Sequence, residues 1–169
     1  VQASPILLTT SEAMAKKVQV AVAEQTEKLS RNEIIEASLA NAGGIVVTKD
    51  LNEAAVLAND FGAEHLCLSV EDPNALMDKI NNAGGFFLGD HSFEVLGDYV
   101  AGPSHIMPTG GTARFNSPLN VLDFVKISSI IGLDAKTAKD LSSTAAMIAD
   151  TEGLTAHAAA ARSRLKVEE

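Results

Sequence analysis

Four short runs of strand-forming residues, separated by segments of helical periodicity, fill the first two-thirds of the chain. That alternation restricts the fold more than any other feature. The runs are Ile6-Leu7-Leu8-Thr9, Ile45-Val46-Val47, residues 65–70 and Phe86-Phe87-Leu88. Between them, Ser11 offers a helix N-cap before Met14, Val18, Ala21, Val22 and Leu29 at helical spacing. A second helix starts at Asn32, carries Ile34, Ile35 and Leu39 on one side, and is ended by Gly43-Gly44. Asp50 can cap a third, with Leu51, Ala54, Ala55, Ala58 and Phe61 on one face and Gly62 as its stop. A fourth is expected over 73–82. Continuous apolar strands with helical crossovers predict a mostly parallel sheet, buried on both faces and flanked by helices.

The pattern changes after about Asn116, where only helix signals follow. Val121, Leu122 and Val125 form one apolar stripe, Ala138, Leu141, Ala145 and Ile148 a second, and Leu154, Ala158, Ala161 and Leu165 a third. The expected organisation is an α/β domain over 1–116, Rossmann-like but incomplete, and an all-helical C-terminal segment over 117–169. An Ala-rich tail of that size buries little by itself, so it is expected to pack on the α/β part or on a partner subunit.

Composition excludes several classes. The chain has 169 residues, 46% apolar and 21% charged, an ordinary globular mix rather than a disordered one. Its net charge of −9 opposes nucleic-acid binding, since no basic stripe offsets it. The longest uncharged stretch, 99–113, is broken by glycines and prolines, so no membrane span is expected. A single cysteine, Cys67, forbids an internal disulfide and fits a reducing, cytoplasmic compartment. Val1-Gln2-Ala3-Ser4-Pro5 has no basic n-region and is not read as a signal peptide. With no initiator Met, the expectation is that more chain lies upstream.

The residues able to do chemistry are few. Glu64 and His65 are adjacent at a helix-to-strand junction and offer two proton acceptors of different basicity. By themselves they also read as a surface carboxylate beside a structural imidazole. Asp98 and His105 lie in a Gly/Pro-rich loop over 96–113, where oxygen and nitrogen donors could meet a divalent metal, although the spacing matches no compact zinc motif. Glu152 and His157 flank a helix break at Gly153. His91 sits in a polar turn, and Cys67 reads as a small buried hydrophobe. There is no dinucleotide fingerprint, P-loop or nucleophile elbow, and neither Gly84-Gly85 nor Gly110-Gly111 makes one.

Five segments together resemble the histidinol dehydrogenase family, in its order and spacing. They are Ala63-Glu64-His65-Leu66, Leu96-Gly97-Asp98-Tyr99, Ala101-Gly102-Pro103-Ser104-His105, Pro108-Thr109-Gly110-Gly111-Thr112-Ala113-Arg114-Phe115 and Glu152-Gly153-Leu154-Thr155-Ala156-His157. The resemblance implies an NAD-linked oxidation of L-histidinol to L-histidine through the aldehyde, with zinc holding the substrate and two subunits sharing each site in a homodimer. It implies Glu64 and His65 as the catalytic pair and Asp98 and His157 as zinc ligands. His65, Asp98, His105, Glu152 and His157 are implied as substrate contacts. The family's chains are more than twice this length, and their nucleotide-contacting part and two further zinc ligands, a Gln and a His, lie upstream. The chain alone is therefore expected neither to bind NAD+ tightly nor to turn over. Two other readings remain at this point. One is a related dehydrogenase of another small alcohol, such as a sulfonated diol, and the other is a non-catalytic dimerisation module.

Overall fold

The computed structural model describes residues 2–164, which form two compact units divided after Val125. The first unit begins with strand β1 (Ile6–Thr9), helices α1 (Glu12–Thr26) and α2 (Asn32–Ala42), and strand β2 (Gly44–Val47). Helix α3 (Leu51–Phe61), strand β3 (Ala63–Leu68), helix α4 (Pro73–Met77), strand β4 (Ala83–Leu88) and helix α5 (Glu94–Tyr99) follow. The second unit contains α6 (Ala135–Thr151) and α7 (Thr155–Arg164). Leu165, the last member of the third apolar stripe, lies outside the described residues.

The expected caps form. The Ser11 side chain accepts from Met14 N–H, and Asp50 accepts from Glu53 N–H at 2.8 Å. Gly62 ends α3 in the left-handed region at φ 62°, which a side chain would strain. All strand pairing is parallel, as expected, but it is divided into two pairs, β1 with β2 and β3 with β4. In the second pair Ala63 lies opposite Ala83 and His65 opposite Gly85.

Several expectations change. β3 starts at Ala63 and stops at Leu68, so Glu64 and His65 lie inside a strand rather than at a junction. Ile45, Val46 and Val47 form a strand but stay 41–47% exposed, because β2 pairs only with β1. α4 covers only Pro73–Met77 of the predicted 73–82. Beyond it the Asn59 side chain takes the backbone out of the helix, accepting from Asn81 N–H and Asn82 N–H and donating to the Lys79 carbonyl. The stripe at Val121, Leu122 and Val125 forms a single 3-10 turn, Val121–Phe124, closed by reciprocal Asn120 and Asp123 bonds. Ile127, Ser128, Ser129, Ile130, Ile131 and Gly132 are all weak helix formers, so no helix follows the turn until α6 starts at Ala135.

The core of the first unit is Ala55, Ala58, Leu68, Leu76 and Ile80, with Leu8, Leu66, Phe86 and Leu88 packed against it. Alanines on α3 let the helix come close to the strands. Side chains alternate along a strand, so Leu66 and Leu68 turn to this core. His65 and Cys67 turn the other way, beside Gly85 and Phe87. In the second unit the buried positions of α6 are Ser142, Ala146 and Ala149, one residue off the predicted stripe. Leu141 and Ile148 are exposed, because the small side chains are the ones that let α7 approach.

Candidate active site

The face of β3 and β4 opposite the core carries the site. His65 is half-buried, with 23% of its side chain exposed. Its Nε2 lies 3.0 Å from Asp98 Oδ1 on α5, and its Nδ1 lies 4.0 Å from Glu64 Oε1. A carboxylate only accepts, so Nε2 carries the hydrogen and donates it to Asp98. In the neutral imidazole the acceptor nitrogen is then Nδ1, 4.0 Å from Glu64 Oε1. Phe87 tilts against the imidazole with ring centroids 5.6 Å apart, which limits its rotation.

Glycines make this arrangement possible, and the sequence reading missed them. A Cβ on Gly84 would lie 2.6 Å from the Glu64 carbonyl oxygen and 3.1 Å from Pro108 Cδ. One on Gly85 would meet the end of Met107 at 2.9 Å, and one on Gly97 would meet the Phe87 ring at 2.5 Å. A glycine pair inside a strand pattern signals close backbone approach. That signal was present at Gly84-Gly85, where only nucleotide motifs were sought. Pro108 is buried and Met107 half-buried, so the loop after α5 closes over this face.

The other candidates lie elsewhere. Asp98 is on a short helix rather than in a loop, since α5 takes residues up to Tyr99 out of the Gly/Pro-rich segment. His105 is exposed in that segment, and His91 is exposed in its turn. Cys67 is exposed rather than a buried hydrophobe, because it shares the outward face of β3 with His65. Partial shelter of its sulphur pushes the thiol pKa up, and the nearby Glu94 and Asp90 carboxylates add to that. In the second unit Glu152 caps the end of α6, Gly153 turns the chain at φ 75°, and His157 lies in the first turn of α7. Both Glu152 and His157 are exposed.

Asp98 oxygen and His157 nitrogen are suitable zinc donors in type. Among the described residues, however, no group of three or more His, Cys, Asp or Glu side chains is placed to hold a metal ion. No helix among the described residues is long and apolar enough to cross a membrane.

What the first unit presents is a candidate site on a parallel α/β scaffold: one imidazole hydrogen-bonded to one carboxylate and flanked by another. Comparison with known proteins gives this site a family. A profile described as histidinol dehydrogenase matches residues 1–165. The chain is 49% identical to a histidinol dehydrogenase of Dehalococcoides mccartyi (strain CBDB1) over 164 residues, 97% of this chain and 38% of the relative. It is 48% identical to that of Neisseria gonorrhoeae over the same shares. A crystal structure of histidinol dehydrogenase from Elizabethkingia anophelis superposes with a TM-score of 0.84 at 34% identity, covering 95% of this chain and 37% of that one. The chain belongs to the histidinol dehydrogenase family, and it spans about 38% of the length of the curated relatives it matches.

Proposed function

We propose that this chain carries the acid–base half of a zinc-assisted, NAD-linked oxidation of L-histidinol to L-histidine. The observation that carries the reading is His65 held between two carboxylates, 3.0 Å from Asp98 and 4.0 Å from Glu64. His65 Nδ1 takes the hydroxyl proton of the alcohol as hydride leaves its carbon for NAD+, giving the aldehyde. Glu64 then takes a proton from the water that adds to the aldehyde. Once His65 has passed its first proton to solvent, the ionised hydrate gives up a second hydride to a second NAD+ and a proton to His65, which yields the carboxylate. An adjacent pair with different basicity suits two successive proton transfers. Asp98 keeps the Nε2 hydrogen engaged, so the same imidazole nitrogen serves both steps.

In this reading Asp98 would hold zinc together with a His157 contributed by the tail of a second copy of the chain, and the metal would supply a Lewis acid that anchors the substrate. His105 and Glu152 contact the substrate's polar ends, and exposed side chains leave them free to do so. The part of the relatives that this chain does not span contributes the nucleotide contacts and the remaining metal donors. The exposed apolar side chains Leu141, Met147 and Ile148 support packing of α6 and α7 on a second subunit in a homodimer. A biosynthetic role of this kind places the protein in the cytoplasm.

The test is the NADH yield per L-histidinol, with zinc supplied and the chain joined to the upstream part of a relative. Two NADH are expected. His65→Gln should lower kcat by about 10²–10⁴-fold, the range for a lost general base. A yield of one, or a His65→Gln variant that retains full rate, removes the reading.

A further inference from the structure

We propose that Gly97 is a positioning residue: its missing side chain clears the Phe87 ring and thereby lets α5 bring Asp98 within hydrogen-bond distance of His65. Gly97 lies within α5, and glycine is among the poorest helix formers. Its φ is not positive, so conformational freedom does not explain it. Space does. A Cβ at this position would lie 2.5 Å from Phe87 Cε1 and 2.9 Å from Cζ, well inside van der Waals contact. The ring that fills the gap is 7% exposed and leans on the imidazole at 5.6 Å and 33°.

Asp98 follows directly in the chain and reaches the same imidazole at 3.0 Å. Gly97, Phe87, His65 and Asp98 therefore close a loop of contacts in which each distance depends on the others. A methyl group at 97 has two ways out. It can push the aromatic ring into the imidazole, or it can lift α5 off β4 together with the Asp98 carboxylate. Either motion lengthens the bond from Nε2 to Oδ1. Phe87 has little room to yield, because its ring lies beside Gly85 on one edge and against the His65 imidazole on another.

The consequence for turnover rests on the reading of His65 as the proton acceptor, but the contact itself does not. The experiment is therefore made first without substrate. The full chain is labelled with 15N at histidine, and His65→Gln identifies which imidazole signals belong to His65. His65 is expected to show a slowly exchanging Nε2 proton, held in the hydrogen bond to Asp98. Gly97→Ala should abolish that protected proton, and Gly97→Ala combined with Phe87→Leu, which removes the clashing ring atoms, should restore it. If Gly97→Ala does not fold, the double variant decides: a folded chain with the protected proton supports the proposal. Persistence of the proton in Gly97→Ala overturns it, as does its absence from the double variant, folded or not. In the joined enzyme, Gly97→Ala should lower kcat by about 10²-fold, the scale of a 1 Å misplacement, with recovery on adding Phe87→Leu. Failure of histidinol oxidation with the imidazole results intact would count against the functional reading alone.

Discussion

Small residues do opposite work in the two units. In the first, large side chains such as Leu68, Leu76, Ile80 and Phe87 are buried. Among its glycines, Gly85 and Gly97 admit Met107 and the Phe87 ring on the face that carries His65, and Gly84 admits the Glu64 carbonyl and Pro108. In the second, the buried residues are Ser142, Ala146, Ala149 and Ala158, while Leu141, Met147 and Ile148 remain exposed. Burial of apolar area scales with side-chain size, so the α/β unit draws its stability from its own interior. The helix pair depends more on what holds its ends, including the Asp150–Arg162 ion pair across the hairpin and the cap at Asp134.

The sharpest break in this comparison comes from one substitution made in both units. Gly84→Val places a side chain against the rigid Glu64 carbonyl and the Pro108 ring. It should cost about 3 kcal/mol or more, the upper range for overpacking where the backbone cannot move. Gly132→Val in the second unit meets nothing within 4 Å and should stay within about 0.5 kcal/mol. Urea unfolding of both variants measures the difference. Equal losses would mean that glycine matters for chain flexibility rather than for close approach.

Leucine truncation is the converse probe and should have a smaller effect. Leu68→Ala, at a position 5% exposed, removes core methyl groups and leaves a cavity, a loss of about 3 kcal/mol. Leu141→Ala, at a position 52% exposed, should cost under about 0.5 kcal/mol in the isolated chain. A Leu141→Ala loss approaching that of Leu68→Ala would show that α6 uses its large side chains after all.

Most of the scaffold was legible because its signals are local. Ser11, Asp50 and Gly62 each satisfy or relieve the backbone within a turn, so cap and stop can be read without knowing what packs against them. The misses have distant causes. Helix α4 ends early because Asn59, far back in the chain, claims the backbone of 79–82. The α6 stripe is displaced because apolar periodicity finds the greasiest face, whereas close helix packing selects the smallest side chains. Cys67 reads as buried from sequence but is exposed, because a strand sequence does not say which alternate face meets the core. At the site, the adjacency of Glu64 and His65 was visible. That Asp98 reaches His65 across 33 residues was not, since it depends on how Gly97 and Phe87 fit together.

The smallest effect tests the claim that the helix pair is held at its ends. The Asp134 side chain accepts from Thr137 N–H at 2.7 Å at the start of α6. That backbone hydrogen bond, aided by the Thr137 side chain, holds the Asp134 carboxyl below the usual carboxylate range. A carboxyl depressed by folding adds stability that is fully present above its unfolded value of about 4. That contribution is lost as the pH falls from there through the lower folded value. Protonation takes away the charge that favours a helix N-terminus. Asp134→Asn keeps a capping oxygen without a titrating group, so its helix should lose less circular-dichroism signal between neutral and acid pH than the native chain does. The cap is solvent-exposed, so the difference should be small and should shrink with added salt. Identical acid profiles for the two chains would show that α6 is held along its length by its alanine face, and the contrast between the two units would then reduce to side-chain size alone.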